Sequence, residues 1–148
     1  MNLNNLLIIG GSEDKDGECR ILNHFSDAAG RENGSIIVLT TATESPEEAG
    51  QKYKEVFQQM NIGEIDIMNI DTREDANLLE KERAINKATG FFFTGGDQLR
   101  ITSILGGTRL YYLLHQAYRR GAIIAGTSAG ASAMSSTMIV EGNDNDTA

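Results

Sequence analysis

Five short apolar runs punctuate an otherwise polar chain, at residues 6–9, 36–39, 65–70, 90–93 and 122–125. Most are continuous rather than alternating, the pattern of strands buried on both faces. The run at 65–70 alternates in part and suits a place nearer a sheet edge. Between the runs, apolar residues recur at helical spacing: Ile21, Leu22, Phe25, Ala28 and Ala29; then Ala49, Tyr53, Val56, Phe57 and Met60; then Leu110, Leu113, Leu114, Ala117 and Tyr118. Strands that alternate with helices predict βαβ units. The expected fold is α/β, a mainly parallel, doubly wound sheet with helices on both faces, in one domain over residues 1–148.

Two helix ends are signposted. Ser45-Pro46-Glu47-Glu48 offers an N-cap, a proline at the first helical position and a capping-box glutamate. Arg119-Arg120-Gly121 offers cations at the negative end of a helix and a glycine to stop it. That duty accounts for the longest cationic run in the sequence without a binding role.

Composition narrows the function classes. The 148 residues carry a formal charge of −8, with no basic run to neutralise phosphates, so neither nucleic acid nor an anionic membrane is an expected partner. Cys19 is the single cysteine, which rules out an intrachain disulfide and a cysteine cluster for zinc. His24 and His115 are the two histidines and form no HExxH pattern, so no metal or other cofactor is expected. No apolar stretch approaches the ~20 residues that span a bilayer, and no signal-peptide pattern opens the chain. The expectation is a reduced, cytoplasmic protein. Residues 141–148 are polar and read as a loop. A sheet that stops after a fifth strand, just past a catalytic-looking turn, suggests the N-terminal part of a longer catalytic domain.

The chemistry concentrates in Gly126-Thr127-Ser128-Ala129-Gly130, placed after the last apolar run and before Ala131, Ser132, Ala133 and Met134, small residues suited to start a helix. A G-x-S-x-G sequence between strand and helix is the context of a nucleophile elbow. Small neighbours are needed there because the turn is tight and strained. Ser128 is the candidate nucleophile, and the Ala129 N–H is placed to stabilise an oxyanion. A second loop, Thr94-Gly95-Gly96-Asp97-Gln98, follows the fourth run. Its glycines allow close backbone approach to a ligand. Asp97 suits a helix cap, and Gln98 can orient a peptide. Gly10-Gly11-Ser12-Glu13-Asp14 follows the first run in the same way. In a parallel sheet these loops open on one edge, where ligands bind. A serine hydroxyl needs a base, and both histidines fall mid-helix, so the base is expected beyond Ala148.

At these residues the chain resembles the cyanophycinases, in the serine peptidase family that also holds the aspartyl dipeptidases. The resemblance is carried by Ile8-Ile9-Gly10-Gly11 with Glu13-Asp14, by Phe93-Thr94-Gly95-Gly96-Asp97-Gln98, and by Ala125-Gly126-Thr127-Ser128-Ala129-Gly130-Ala131. It implies a fold like the class I glutamine amidotransferases, a serine–histidine–acid triad, and hydrolysis of β-aspartyl–arginine polymer to dipeptides by a homodimer. By position, Ser128 is then the nucleophile, Gly96 and Ala129 the oxyanion donors, and Asp97 and Gln98 substrate contacts. The dipeptidase branch would place the acid closer to the serine, at Asp144 or Asp146. Aspartyl dipeptide hydrolysis and a non-enzymatic binding module are the alternatives.

Overall fold

The computed structural model describes residues 5–78 and 80–140. The continuous apolar runs are explained by two cores. In β2 (Ser35–Leu39), Ile36 and Val38 enter one core while Ile37 and Leu39 enter the other. In β4 (Gly90–Phe93), Phe92 faces the first core and Phe91 and Phe93 the second. The side chains of residues 36–39 and 91–93 all leave water, so no polar residue interrupts those runs.

With β1 (Leu6–Ile9), β3 (Glu64–Met68) and β5 (Ile123–Thr127), these strands form a five-stranded sheet in the order β1-β5-β4-β2-β3, with every pairing parallel. Helices α1 (Arg20–Ala29) and α2 (Pro46–Gln59) cover one face. Phe25, Phe57 and Phe92 meet there in tilted and edge-on contacts with ring centroids 5.4–5.5 Å apart. The other face is covered by α3 (Arg73–Asn77), α4 (Glu82–Lys87), α5 (Gln98–Leu105) and α6 (Arg109–Arg119). A four-residue helix, α7 (Ala129–Ser132), follows β5 and joins this second core through Ala129. The fold is thus the doubly wound α/β architecture that the hydropathy pattern predicts.

Several local expectations shift. The third run is a strand over Glu64–Met68 and does lie at an edge. The last strand begins at Ile123 and continues through Gly126 and Thr127, so the first two residues of the elbow sequence are themselves strand. Pro46 opens α2 as expected, but the Ser45 side chain makes no capping hydrogen bond. A reciprocal capping box forms instead at α3: Asp75 N–H donates to Thr72 Oγ1 at 3.1 Å, and Thr72 N–H donates to Asp75 Oδ2 at 3.1 Å. Arg119 and Gly121 end α6 as predicted, Gly121 at φ 101°. On β1, Leu6 and Ile8 stay 47% and 59% exposed, because no helix among the described residues covers that stretch of the second face.

Candidate active site

Ser128 sits between β5 and α7 at φ 52°, ψ −112°, a backbone conformation that non-glycine residues adopt only when their surroundings impose it. The surroundings are backbone. A Cβ on Gly126 would overlap the Gly130 carbonyl, and one on Gly130 would lie 2.5 Å from the Phe93 carbonyl oxygen. Any side chain at either position would prise β5, α7 and β4 apart. Ser128 N–H donates to the Ile9 carbonyl at 2.9 Å, which pins the turn to the end of β1. From Ala125 to Gly130 every residue is buried except Ser128. Among the described residues its hydroxyl has no hydrogen-bond partner, so the turn presents an unencumbered Oγ to the carboxyl edge of the sheet.

Two glycine loops close around it, as a parallel sheet requires. A Cβ on Gly11 would lie 3.4 Å from Ser128 Cβ and 3.7 Å from Oγ, and one on Gly95 would lie 3.5 Å from Ser128 Cβ. Gly96, at φ 140°, is packed so tightly that a Cβ would overlap the Ala42 carbonyl. Among the described residues, neither the Gly96 nor the Ala129 amide has an acceptor. Helix α7 is only four residues long, so few peptide dipoles align behind Ala129 and any help to an oxyanion comes from the N–H itself. Asp97 caps α5, its Oδ1 accepting the Leu99 N–H at 2.8 Å. Gln98 opens α5, and its Nε2 donates to the Ile139 and Val140 carbonyls at 3.1 and 3.2 Å. The amide thus holds the segment that follows α7. A cavity of about 360 Å³ opens beside Gly95, lined also by Lys15, Thr43, Lys52, Tyr53 and Thr94. The Thr94 hydroxyl is buried and has no hydrogen-bond partner among the described residues.

Two acids of the loop after β1 do different work. Asp14 shapes the loop: its carboxylate accepts the N–H groups of Asp16, Gly17 and Cys19 at 3.1, 2.7 and 3.0 Å. Those amides, Cys19 first, lower its pKa. Glu13 turns inward, its side chain 2% exposed. Its Oε2 accepts the Thr127 hydroxyl at 2.5 Å. Its Oε1 accepts the Tyr53 hydroxyl and lies 3.0 Å from Lys15 Nζ. Burial works to raise the Glu13 pKa, but the hydrogen bonds of Thr127, Tyr53 and Lys15 outweigh it and hold the carboxyl below its ordinary value. Burial and the Glu13 charge together push the Tyr53 phenol up. Glu13 stood in the sequence only as a loop acid; its partner Thr127 is 114 positions away.

Both histidines are exposed on helices, His24 on α1 and His115 on α6, where its ring lies 4.4 Å from that of Tyr111. Neither is hydrogen-bonded to Ser128. Asp144 and Asp146 lie outside the described residues. Among the described residues no three His, Cys, Asp or Glu side chains are grouped to hold a metal ion, and no helix is long and apolar enough to cross a membrane.

Known proteins resemble this chain in sequence and in fold. The cyanophycinases of Synechococcus elongatus and Thermosynechococcus vestitus are each 37% identical over 142 residues, covering 95% of this chain and 44% of their own length. That of a Nostoc species is 34% identical over 143 residues, covering 96% of this chain and 48% of its own. The chain therefore spans about half the length of the curated relatives it matches. Among solved structures, a peptidase from an acI-B1 actinobacterium superposes with TM-score 0.68 at 23% identity, covering 86% of this chain and 55% of that one. A peptidase E-type protein from Listeria monocytogenes gives 0.61 at 20%, covering 86% of this chain and 60% of that one. These two share the fold. The profile of Peptidase family S51 matches residues 6–148, and with relatives this similar over nearly its whole length the chain belongs to that family.

Proposed function

We propose that this chain carries the nucleophile and oxyanion parts of a serine-type peptidase that cleaves cyanophycin, the β-aspartyl–arginine polymer, to dipeptides. One observation carries the reading: Ser128 stands at φ 52° in a glycine-walled turn as the sole exposed residue of its segment. Such strain persists where function requires it. In this reading Ser128 Oγ gives its proton to the general base and attacks the scissile carbonyl, the free amides of Gly96 and Ala129 receive the developing oxyanion, and the C–N bond breaks as the amine leaves with that proton, which leaves an acyl-enzyme. Gln98 and Asp97 border the path of the substrate, and the cavity beside Gly95 gives room for a peptide side chain. The general base comes from outside the described residues, because His24 and His115 are committed to helix surfaces. Water then releases the dipeptide. The identity of the substrate follows the cyanophycinases to which the chain is similar.

The test is release of aspartyl–arginine dipeptide from insoluble cyanophycin, together with labelling of Ser128 by a fluorophosphonate. Ser128→Ala should abolish both. Hydrolysis undiminished in Ser128→Ala would overturn the assignment, and turnover of aspartyl dipeptides in place of the polymer would move the substrate to the dipeptidase class.

A further inference from the structure

We infer that Glu13 is a positioning residue for the Ser128 elbow, acting through the Thr127 hydroxyl. The inference rests on the reading of Ser128 as nucleophile. The end of β1 and the loop that follows it each reach the elbow once. The Ile9 carbonyl accepts the Ser128 N–H at 2.9 Å, and four residues later Glu13 Oε2 accepts Thr127 Oγ1 at 2.5 Å. One bond is made by the peptide that joins Thr127 to Ser128, the other by the Thr127 side chain beside it. They fix the last regular residue of β5 and the first residue of the strained turn together.

Glutamate is the side chain this place needs. Both carboxylate oxygens accept, one from Thr127 and the other from Tyr53 and Lys15. A glutamine would turn an NH₂ towards donors on one side or the other. Thr127 is itself 3% exposed, so its hydroxyl has no water to fall back on. Tyr53 belongs to α2 and Lys15 to the same loop as Glu13, so the carboxylate anchors the elbow to the opposite layer of the fold. A buried carboxylate could also serve general stability alone. The two roles separate by which amides respond when it is altered.

The experiment is amide hydrogen exchange, read residue by residue, in the wild-type chain and in Glu13→Gln, Thr127→Val and Tyr53→Phe. Positioning predicts that Glu13→Gln speeds exchange at Ser128 by about tenfold or more while Ile37 and Phe92, in the sheet interior, change less than about twofold. Thr127→Val, which removes only the hydroxyl, should reproduce the effect, and the double variant should add nothing further. Tyr53→Phe should leave Ser128 within about twofold. Where hydrolysis is measurable, Glu13→Gln should lower kcat about ten- to a hundredfold with KM nearly unchanged. Equal acceleration at Ser128, Ile37 and Phe92 would make Glu13 a stabilising group only. Unchanged Ser128 exchange in Thr127→Val overturns the inference even if Glu13→Gln fails to fold. Absence of hydrolysis in a protein that carries this chain together with its general base would count against the peptidase reading, while the exchange pattern would still decide the role of Glu13.

Discussion

At the scale of the residue, the site is a matter of what cannot be present. Gly126 and Gly130 flank Ser128 because backbone occupies the space where their side chains would be. Gly10 stands in open space, with nothing within 4 Å of the point a Cβ would occupy, although it belongs to a glycine pair in the sequence. Gly130→Ala should therefore cost about 3 kcal/mol, the upper end of overpacking penalties, whereas Gly10→Ala should change stability by less than about 0.5 kcal/mol. Urea unfolding midpoints measure both, and similar losses would mean that the elbow does not need its glycine. The G-x-S-x-G pattern made this part of the site legible, because it states the steric requirement in consecutive letters. Glu13 was legible only as a loop acid. Its work depends on a contact between residues near opposite ends of the chain, which no local pattern encodes.

At the scale of the element, caps separate what the sequence promises from what the fold uses. Ser45-Pro46-Glu47-Glu48 has the letters of a capping box, yet Ser45 adopts φ −121°, ψ 66° and its hydroxyl does not reach the helix. Thr72 and Asp75 form the box instead, at a five-residue helix too short to show periodicity. For the same reason α3 and α4 left no trace in the hydropathy pattern, while α1, α2 and α6 did. Asp97 caps α5 through its Oδ1, and this gives a direct test of its second suggested role. Asp97→Ala should lose about 1 kcal/mol of stability, and Asp97→Asn, which caps equally well, almost none. If Asn restores stability but KM for a peptide substrate still rises several-fold, the charge of Asp97 serves the substrate. If KM is also normal, Asp97 is a cap alone. Gln98 is similarly tied to scaffold, since its amide already holds the carbonyls of Ile139 and Val140.

At the scale of the molecule, the two-sided burial of β2 and β4 announced the sheet, and the partial alternation of the third run announced an edge. The strand order was not legible, because hydrophobic patterning reports how many faces are covered and says nothing of which strand lies beside which. The same patterning concealed the exposed stretch of β1. Leu6-Leu7-Ile8-Ile9 reads as a buried strand, yet its alternate side chains Leu6 and Ile8 face solvent. Apolar surface of this kind binds hydrophobic dyes and promotes association. The chain should bind such a dye at neutral pH, and Ile8→Lys should reduce dye binding and self-association with a change in thermal midpoint of no more than a few degrees. A large loss of stability in Ile8→Lys would show instead that this position is packed in solution.

The strand order also sets a timetable. Among the described residues, strand β1 pairs with β5 and with no other strand, Leu6 lying opposite Ile124 and Ile9 opposite Thr127. Strand β2 lies between β3 and β4, and these three can assemble from the middle of the chain. During synthesis β1 leaves the ribosome first and must wait, unpaired, until β5 arrives to slot between it and β4. Closing so long a loop carries a large entropic cost, and contacts of this separation form late. Ser128 lies at the end of β5, so the serine and the β1 end that braces it come together only once β5 has found both β1 and β4.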